Sequence, residues 1–321
     1  TYKDIHGFKI QNVSSDPPAS FTGQVWYNST SGTLKVNTGP LLDAWATGSD
    51  MNTARHYTAG CGATNTEALS FGSAFPNNNT AGSYNGTAWT AVNPMNTTRG
   101  FLGGVGIQTS ALAFGGQEPS APPLGATELW NGTNWTTVNP LSTARKYISG
   151  AGDSNTAALA FGGYNPGPGG VGLTETWNGT NWTETTDMTL GRYSLAGAGS
   201  NTAALAIGGG QPHTGTTESW NGSIWTTVNP LNTARIGQAA AGNQTAALAF
   251  GGAFSSKAVT ETWNGTNWTE VGDLNTARGY LGGAGTNAAA LAFGGGPNSG
   301  VVGKLTEEWG STGGNKTITT T

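Results

Sequence analysis

Apolar and polar positions along this chain alternate in short runs separated by turn residues, and nowhere do apolar residues recur at the three-and-four spacing of a helix. The run Thr174-Glu-Thr-Trp-Asn-Gly-Thr-Asn-Trp-Thr-Glu184 shows the pattern and returns letter for letter at 260–270. Thr and Trp on both sides of Asn-Gly favour a pleated surface, and Asn-Gly suits the two positive φ angles of a type I′ turn, so the run predicts a tight hairpin. A second kind of run, Ala-Leu-Ala-Phe-Gly-Gly, lacks the alternation and reads as a short strand buried on both faces. It stands at 111–116, 158–163, 247–252 and 290–295, with near copies at 68–72 and 204–209.

Aligned on these runs, the chain is a series of six units. A first aromatic column falls at Tyr84, Trp130, Trp177, Trp220, Trp263 and Trp309, in steps of 43 to 47 residues. A second falls at Trp45, Trp89, Trp135, Trp182, Trp225 and Trp268. Behind each of these come a Met or Leu and then an arginine: Arg55, Arg99, Arg145, Arg192, Arg235 and Arg278. Each unit therefore predicts four short strands and no helix. Four-stranded units cannot bury a core singly, but stacked radially in a closed ring they bury both faces and leave only short edges. The expected fold is all-β, a six-bladed β-propeller with four-stranded blades; a linear β-solenoid is the alternative, with shorter repeats.

The last unit ends at Trp309 without the outer strand of its hairpin, whereas Leu41-Leu-Asp-Ala-Trp45 has an outer-strand pattern and no unit before it. The N-terminal strand around Leu41–Trp45 is expected to complete the last blade; the rival for that edge is the Thr-rich tail near the C-terminus, Lys316-Thr-Ile-Thr-Thr-Thr321. Residues 1–39 form an extension in which Gln24–Asn28 and Thr33–Asn37 flank Ser-Thr-Ser-Gly, a second hairpin signal. The expected organisation is 1–39 as attachment segment, 40–309 as propeller and 310–321 as a strand or tail.

The double glycine, the aromatic ending in a turn, the Trp about five residues later and the Met/Leu-x-x-x-Arg together resemble the kelch repeat over Leu41 to Trp309. Common kelch units carry an acidic loop where this chain has Asn-Gly, which makes it a kelch-like variant. The segment Gly23-Gln-Val-Trp-Tyr-Asn-Ser-Thr-Ser-Gly-Thr-Leu-Lys-Val36 is similar to segments near the N-termini of bacteriophage tail-fibre and other structural proteins, and the whole chain resembles Gly/Thr/Asn-rich kelch-like proteins of marine phages. The resemblance implies a virion structural or adhesion protein working in host attachment. Its implied partners are other virion proteins through residues 1–39, a host-surface glycan or protein, and further copies of itself in the particle.

Composition narrows the chemistry. Charged residues make up 9% of the chain and the formal net charge is -4, so no basic face exists to neutralise nucleic-acid phosphates. The single cysteine, Cys61, excludes an internal disulfide framework and any multi-cysteine metal site, and no cofactor is expected. No run approaches the length of a membrane helix, and the residues from Thr1 lack the basic-then-apolar order of a secretion signal, so a soluble protein of the virion is expected.

The arginine column is the most suggestive chemistry. Set on the loops entering the innermost strands, six guanidinium groups would ring one channel mouth, with Tyr57, Phe101, Tyr147 and Tyr280 two residues beyond. Such a ring could hold an anion or acidic sugar by bidentate hydrogen bonds and stacking. The preferred reading is structural: Glu128, Glu175, Glu218, Glu261 and Glu307 form a column that could pair with the arginines and pin blade to blade. The first unit has Gly82 there, leaving one arginine without its partner and marking a ligand-accessible sector. His6, His56 and His213 occupy unlike positions and read as solvated loop residues, and no motif of a hydrolase or nucleotide-binding loop is present. A non-enzymatic interaction head is therefore expected. The alternative is a carbohydrate-active propeller hydrolysing glycans at an axial Arg/Glu site.

Overall fold

The computed structural model describes residues 10–15, 24–37, 43–167, 169–210, 212–296, 303–311 and 315–317. Among them every regular element is a strand. After β1 (Gln11–Val13), β2 (Val25–Asn28), β3 (Thr33–Asn37) and β4 (Asp43–Thr47), the first blade runs through β5 (Ala59–Thr64), β6 (Glu67–Ala74), β7 (Asn77–Tyr84) and β8 (Trp89–Val92). The second comprises β9 (Gly103–Ile107), β10 (Ser110–Phe114), β11 (Thr127–Trp130) and β12 (Trp135–Val138). The third comprises β13 (Ser149–Ser154), β14 (Ala157–Phe161), β15 (Thr174–Trp177) and β16 (Trp182–Glu184). Next come β17 (Ala196–Gly199), β18 (Ala204–Ile207), β19 (Thr217–Trp220) and β20 (Trp225–Val228), then β21 (Ala239–Asn243), β22 (Ala246–Phe250), β23 (Thr260–Trp263) and β24 (Trp268–Glu270).

The sixth blade orders β25 (Gly282–Gly285), β26 (Ala290–Phe293), β27 (Thr306–Ser311) and β4. The N-terminal strand thus supplies the outer edge that the last unit lacks; Leu41 and Leu42 lie outside the described residues. Each inner strand packs on the next around the axis, and β25 packs on β5, closing a six-bladed propeller. The Thr-rich tail does not compete for this edge. Its strand β28 (Asn315–Thr317) pairs antiparallel with β3 in another sheet, ordered β1-β2-β3-β28, in which β2 and β3 form the expected hairpin and β1 joins β2 in parallel. The chain divides into two compact units, Thr1–Ala44 with Ser311–Thr321, and Trp45–Gly310.

The outer hairpins correct the type I′ expectation. Trp177 pairs directly with Trp182, so the loop has four residues, and only Gly179 has a positive φ, 90°. The Asn178 side chain accepts from the Thr180 and Asn181 N–H groups at 3.0 and 2.9 Å, which holds the turn without a left-handed Asn. Asn is needed for its carboxamide and Gly for its backbone.

The two Trp columns and the Phe of the second strand explain how blades adhere. The outer-strand Trp182 lies edge-on to Phe114 of the preceding blade, centroids 5.1 Å apart, and its indole N–H donates to Thr127 Oγ1 at 3.0 Å. The same bond recurs as Trp225 to Thr174, Trp268 to Thr217, Trp45 to Thr260 and, across the ring closure, Trp89 to Thr306. The Phe of one blade reaches the next only because the inner strand there has glycine: a Cβ at Gly104 would stand 2.5 Å from Phe71 Cζ. One bond of the series is missing. The Thr position of the first blade is Ala81, and Trp135 Nε1 is buried without a partner. Ala81→Thr should give that donor its acceptor and raise stability by about 1 kcal/mol. Thermal melting is the check; a Tm at or below that of the parent would contradict the assignment.

Candidate functional site

The arginine column lies inside the blades and does not line the mouth. Arg55, Arg99, Arg145, Arg192, Arg235 and Arg278 are at most 2% exposed. Five of them pair with the glutamate column: Arg99 with Glu128 at 3.3 Å, Arg145 with Glu175 at 2.7 Å, Arg192 with Glu218 at 2.9 Å, Arg235 with Glu261 at 3.2 Å, and Arg278 with Glu307. Each carboxylate also accepts a backbone N–H from the turn just before the arginine: Asn96, Ser142, Thr189, Asn232 or Asn275, at 2.6 to 2.8 Å. Burial pulls these guanidinium groups down from their usual pKa, and the paired carboxylates push them back up. The arginine lies on the crossing loop, whose backbone is bonded to the blade it leaves, as Leu141 N–H to Gly125 O at 2.9 Å and Arg145 N–H to Leu124 O at 3.1 Å, so each pair ties that loop, and with it the preceding blade, to the third strand of the blade it enters.

Two residues beyond each arginine the backbone turns left-handed, with φ of 54° at Tyr57, 58° at Phe101, 54° at Tyr147, 51° at Ser194, 67° at Gly237 and 54° at Tyr280. The reason is a closed ring of six main-chain hydrogen bonds. Phe101 N–H donates to Tyr57 O at 3.2 Å, Tyr147 to Phe101 at 2.8 Å, Ser194 to Tyr147 at 2.9 Å, Gly237 to Ser194 at 2.9 Å, Tyr280 to Gly237 at 2.7 Å, and Tyr57 to Tyr280 at 3.0 Å. A left-handed aromatic residue is strained by about 1 kcal/mol or more, and such strain is concentrated at functional sites.

Four of the six positions carry aromatic rings. Tyr57 stacks on Tyr280 with centroids 3.9 Å apart, meets Phe101 edge-on at 4.5 Å, and Phe101 meets Tyr147 at 4.6 Å. Burial, the first cause in each case, raises the Tyr57, Tyr147 and Tyr280 phenols, Tyr147 to about 12, and the Tyr57 and Tyr280 hydroxyls hydrogen-bond each other. Where the column is small, at Ser194 and Gly237, the aromatic cover is interrupted. Beside that gap lies a cavity of about 300 Å³, within the size range of small-molecule sites. Its walls add Tyr164, Tyr193, Phe254 and Lys146 to the column residues, and among the described residues no carboxylate lines it.

Lys146 is held by an exchange of backbone hydrogen bonds with Tyr164, 3.0 and 2.7 Å, and its Nζ donates to Gln117 Oε1 at 2.8 Å. The ammonium stands 5.3 Å from the Tyr147 ring centre and 5.5 Å from that of Tyr164, with burial lowering its pKa. The cavity thus presents apolar ring faces, phenol hydroxyls and one cation. Sequence columns pointed to Tyr57, Phe101, Tyr147 and Tyr280 but missed Lys146, Tyr164, Tyr193 and Phe254, which repeat nowhere. Tyr164 and Phe254 sit in the connections that follow the double glycines, 164–173 and 253–259, whose sequences differ from blade to blade, and that lack of repetition was their only signal.

Three residues with reactive groups do not themselves line the cavity. His56 is not solvated: it is 7% exposed, both ring nitrogens lack a partner, and burial lowers its pKa to about 4. His213 is exposed against Phe254, centroids 4.8 Å apart; His6 lies outside the described residues. Cys61 is buried in the first inner strand, where burial raises its thiol pKa.

No family model matches the chain, and no curated protein matches it in sequence. Among solved structures it is similar to one titled "Structure of YjhT", with a TM-score of 0.69 over 85% of this chain and 99% of that one, at 12% identity. The fold is a kelch-like β-propeller. At that identity the likeness concerns the fold, and function has to be argued from the propeller's own site. No helix among the described residues is long and apolar enough to cross a membrane.

Proposed function

We propose that the chain is a non-catalytic interaction head whose aromatic mouth binds a sugar residue of a glycan, in the setting of a bacteriophage particle. The observation that carries the reading is the strained aromatic ring. Four left-handed aromatic residues are fixed by the closed main-chain ring, beside a cavity walled by further tyrosines and Lys146. Rigid tyrosines combine apolar area with a hydroxyl at small entropic cost, which suits a pyranose ring with its apolar face and hydroxyl rim. The virion setting rests on the likeness of Gly23–Val36 to tail-fibre segments, with residues 1–39 joining the head to other virion proteins.

Hydrolysis of the glycan is the rival reading, and it needs a carboxylate beside the bound sugar to give or take a proton. The glutamate column is engaged elsewhere: each member accepts from an arginine and from a backbone N–H of the crossing loop between blades.

The test is a glycan array followed by calorimetric titration of the best oligosaccharide. Tyr193→Ala and Lys146→Ala should each weaken binding by about tenfold while the far-ultraviolet spectrum stays that of the parent. Release of new reducing ends during incubation would favour the hydrolase, and unchanged affinity in both variants would remove the cavity from the reading.

A further inference from the structure

The six arginines hold the same place, but only five meet a glutamate. In the second blade the Glu128 carboxylate sits among three donors: Arg99 Nη2 at 3.3 Å, the Asn96 N–H at 2.6 Å and the Thr97 N–H at 3.2 Å. The fifth and sixth blades repeat all three donors around Glu261 and Glu307. The cradle is thus a carboxylate receptor made of one guanidinium and two successive backbone N–H groups.

The first blade has the receptor without the glutamate. Arg55 Nη1 donates to Thr80 O, two residues before Gly82, just as Arg99 Nη1 donates to Ala126 O, two residues before Glu128. The turn is anchored alike: Asn52 Nδ2 donates to Trp89 O at 2.7 Å, as Asn96 Nδ2 does to Trp135 O at 3.2 Å. Arg55, Asn52 and Thr53 therefore stand where their counterparts grip a carboxylate. A Cβ added at Gly82 would find nothing nearer than 3.5 Å and would lie 3.9 Å from Arg55 Nη2, so the backbone leaves room on that side. Across the hairpin Gly82 pairs with Ala91, at a position where Thr137, Glu184, Thr227 and Glu270 stand in the next four blades. Two side chains are cut short at one spot.

Arg55 is 2% exposed, and no carboxylate among the described residues pairs with its guanidinium. Burial lowers its pKa to about 10, with no neighbouring charge opposing the shift, and at neutral pH it remains a cation. A buried charge without a counter-charge is costly, so a matching anion stabilises the fold by mass action. We propose that Arg55 and the N–H groups of Asn52 and Thr53 form a binding site for a small monocarboxylate of formate or acetate size, which takes the place of the absent glutamate head group. The two cut-short side chains set the size limit, and the planar fork of the guanidinium selects a carboxylate. This site is separate from the aromatic cavity and does not depend on the function proposed for it.

The experiment compares the parent with Gly82→Glu in sodium formate, with ionic strength held constant by sodium gluconate, a carboxylate too bulky for the cradle. The parent Tm should rise saturably, by about 2–3 °C at ten times the dissociation constant. Gly82→Glu should start above the parent and show no such rise, because its own carboxylate fills the receptor. An equal response in both proteins, or none in the parent, overturns the proposal. A second reading needs no variant: in 15N spectra of the parent, the Asn52 and Thr53 amides should shift on formate titration and saturate together with the Tm. Amides that stay in place overturn it equally.

Discussion

Glu175→Ala should lower the stability of the protein by about 3–5 kcal/mol, seen as a fall in the urea midpoint. The carboxylate it removes accepts from Arg145 Nη2 and from the Ser142 N–H, both at 2.7 Å, in a blade interior where Arg145 is 0% exposed. Arg145 would keep its bonds to the Gly162 and Leu173 carbonyls, at 2.9 and 2.7 Å, but those dipoles do not cancel a full charge. Much of the loss is the penalty on the stranded cation. The double replacement Arg145→Met with Glu175→Leu should therefore cost clearly less than Glu175→Ala alone. A double variant as unstable as the single would mean that the crossing loop depends on the hydrogen bonds and not on charge balance.

The second large effect is acid sensitivity at His56. Its imidazole packs against Tyr57 at 4.5 Å and Tyr280 at 5.4 Å between ring centres, and burial lowers its pKa from 6.5 to about 4. As pH falls below 6.5 the unfolded chain takes up a proton that the folded chain refuses until about pH 4, so folding weakens across that window. The loss from this residue between pH 7 and pH 4.5 should be about 2 kcal/mol. His56→Phe keeps an aromatic ring of comparable size and removes the titration. Its stability, from urea unfolding at several pH values, should fall less than that of the parent over the same range. Parallel curves would assign the acid sensitivity to other groups.

How far the sequence reveals the molecule follows from what repeats. The Trp, Glu, Arg and Ala-Leu-Ala-Phe-Gly-Gly columns recur because each blade solves the same packing problem, and they located every blade strand pattern, including the completion of the last blade by the strand holding Trp45. Hydrogen-bond geometry is not periodic in letters in the same way. Nothing in Tyr57, Phe101 or Ser194 announces a left-handed backbone, since those side chains disfavour it and only the ring closure imposes it. The pairing of Asn315–Thr317 with Thr33–Asn37 joins segments almost a whole chain apart, with no pattern shared between them. At the cavity, the repeated aromatics were legible, and Lys146, Tyr164, Tyr193 and Phe254 were hidden because a site built on differences leaves no column.

The ring of six main-chain bonds at the mouth has one sense of rotation. Every N–H points back to the preceding blade, including Tyr57 to Tyr280, so the peptide dipoles follow one another like arrows around a wheel. Arrows that close on themselves cancel within the plane of the ring, unlike those of a helix, which add along its axis. The ring therefore carries no net dipole in that plane even though six polar groups encircle the opening. Direction at the cavity is supplied instead by side chains, the faces and hydroxyls of the tyrosines and the ammonium of Lys146.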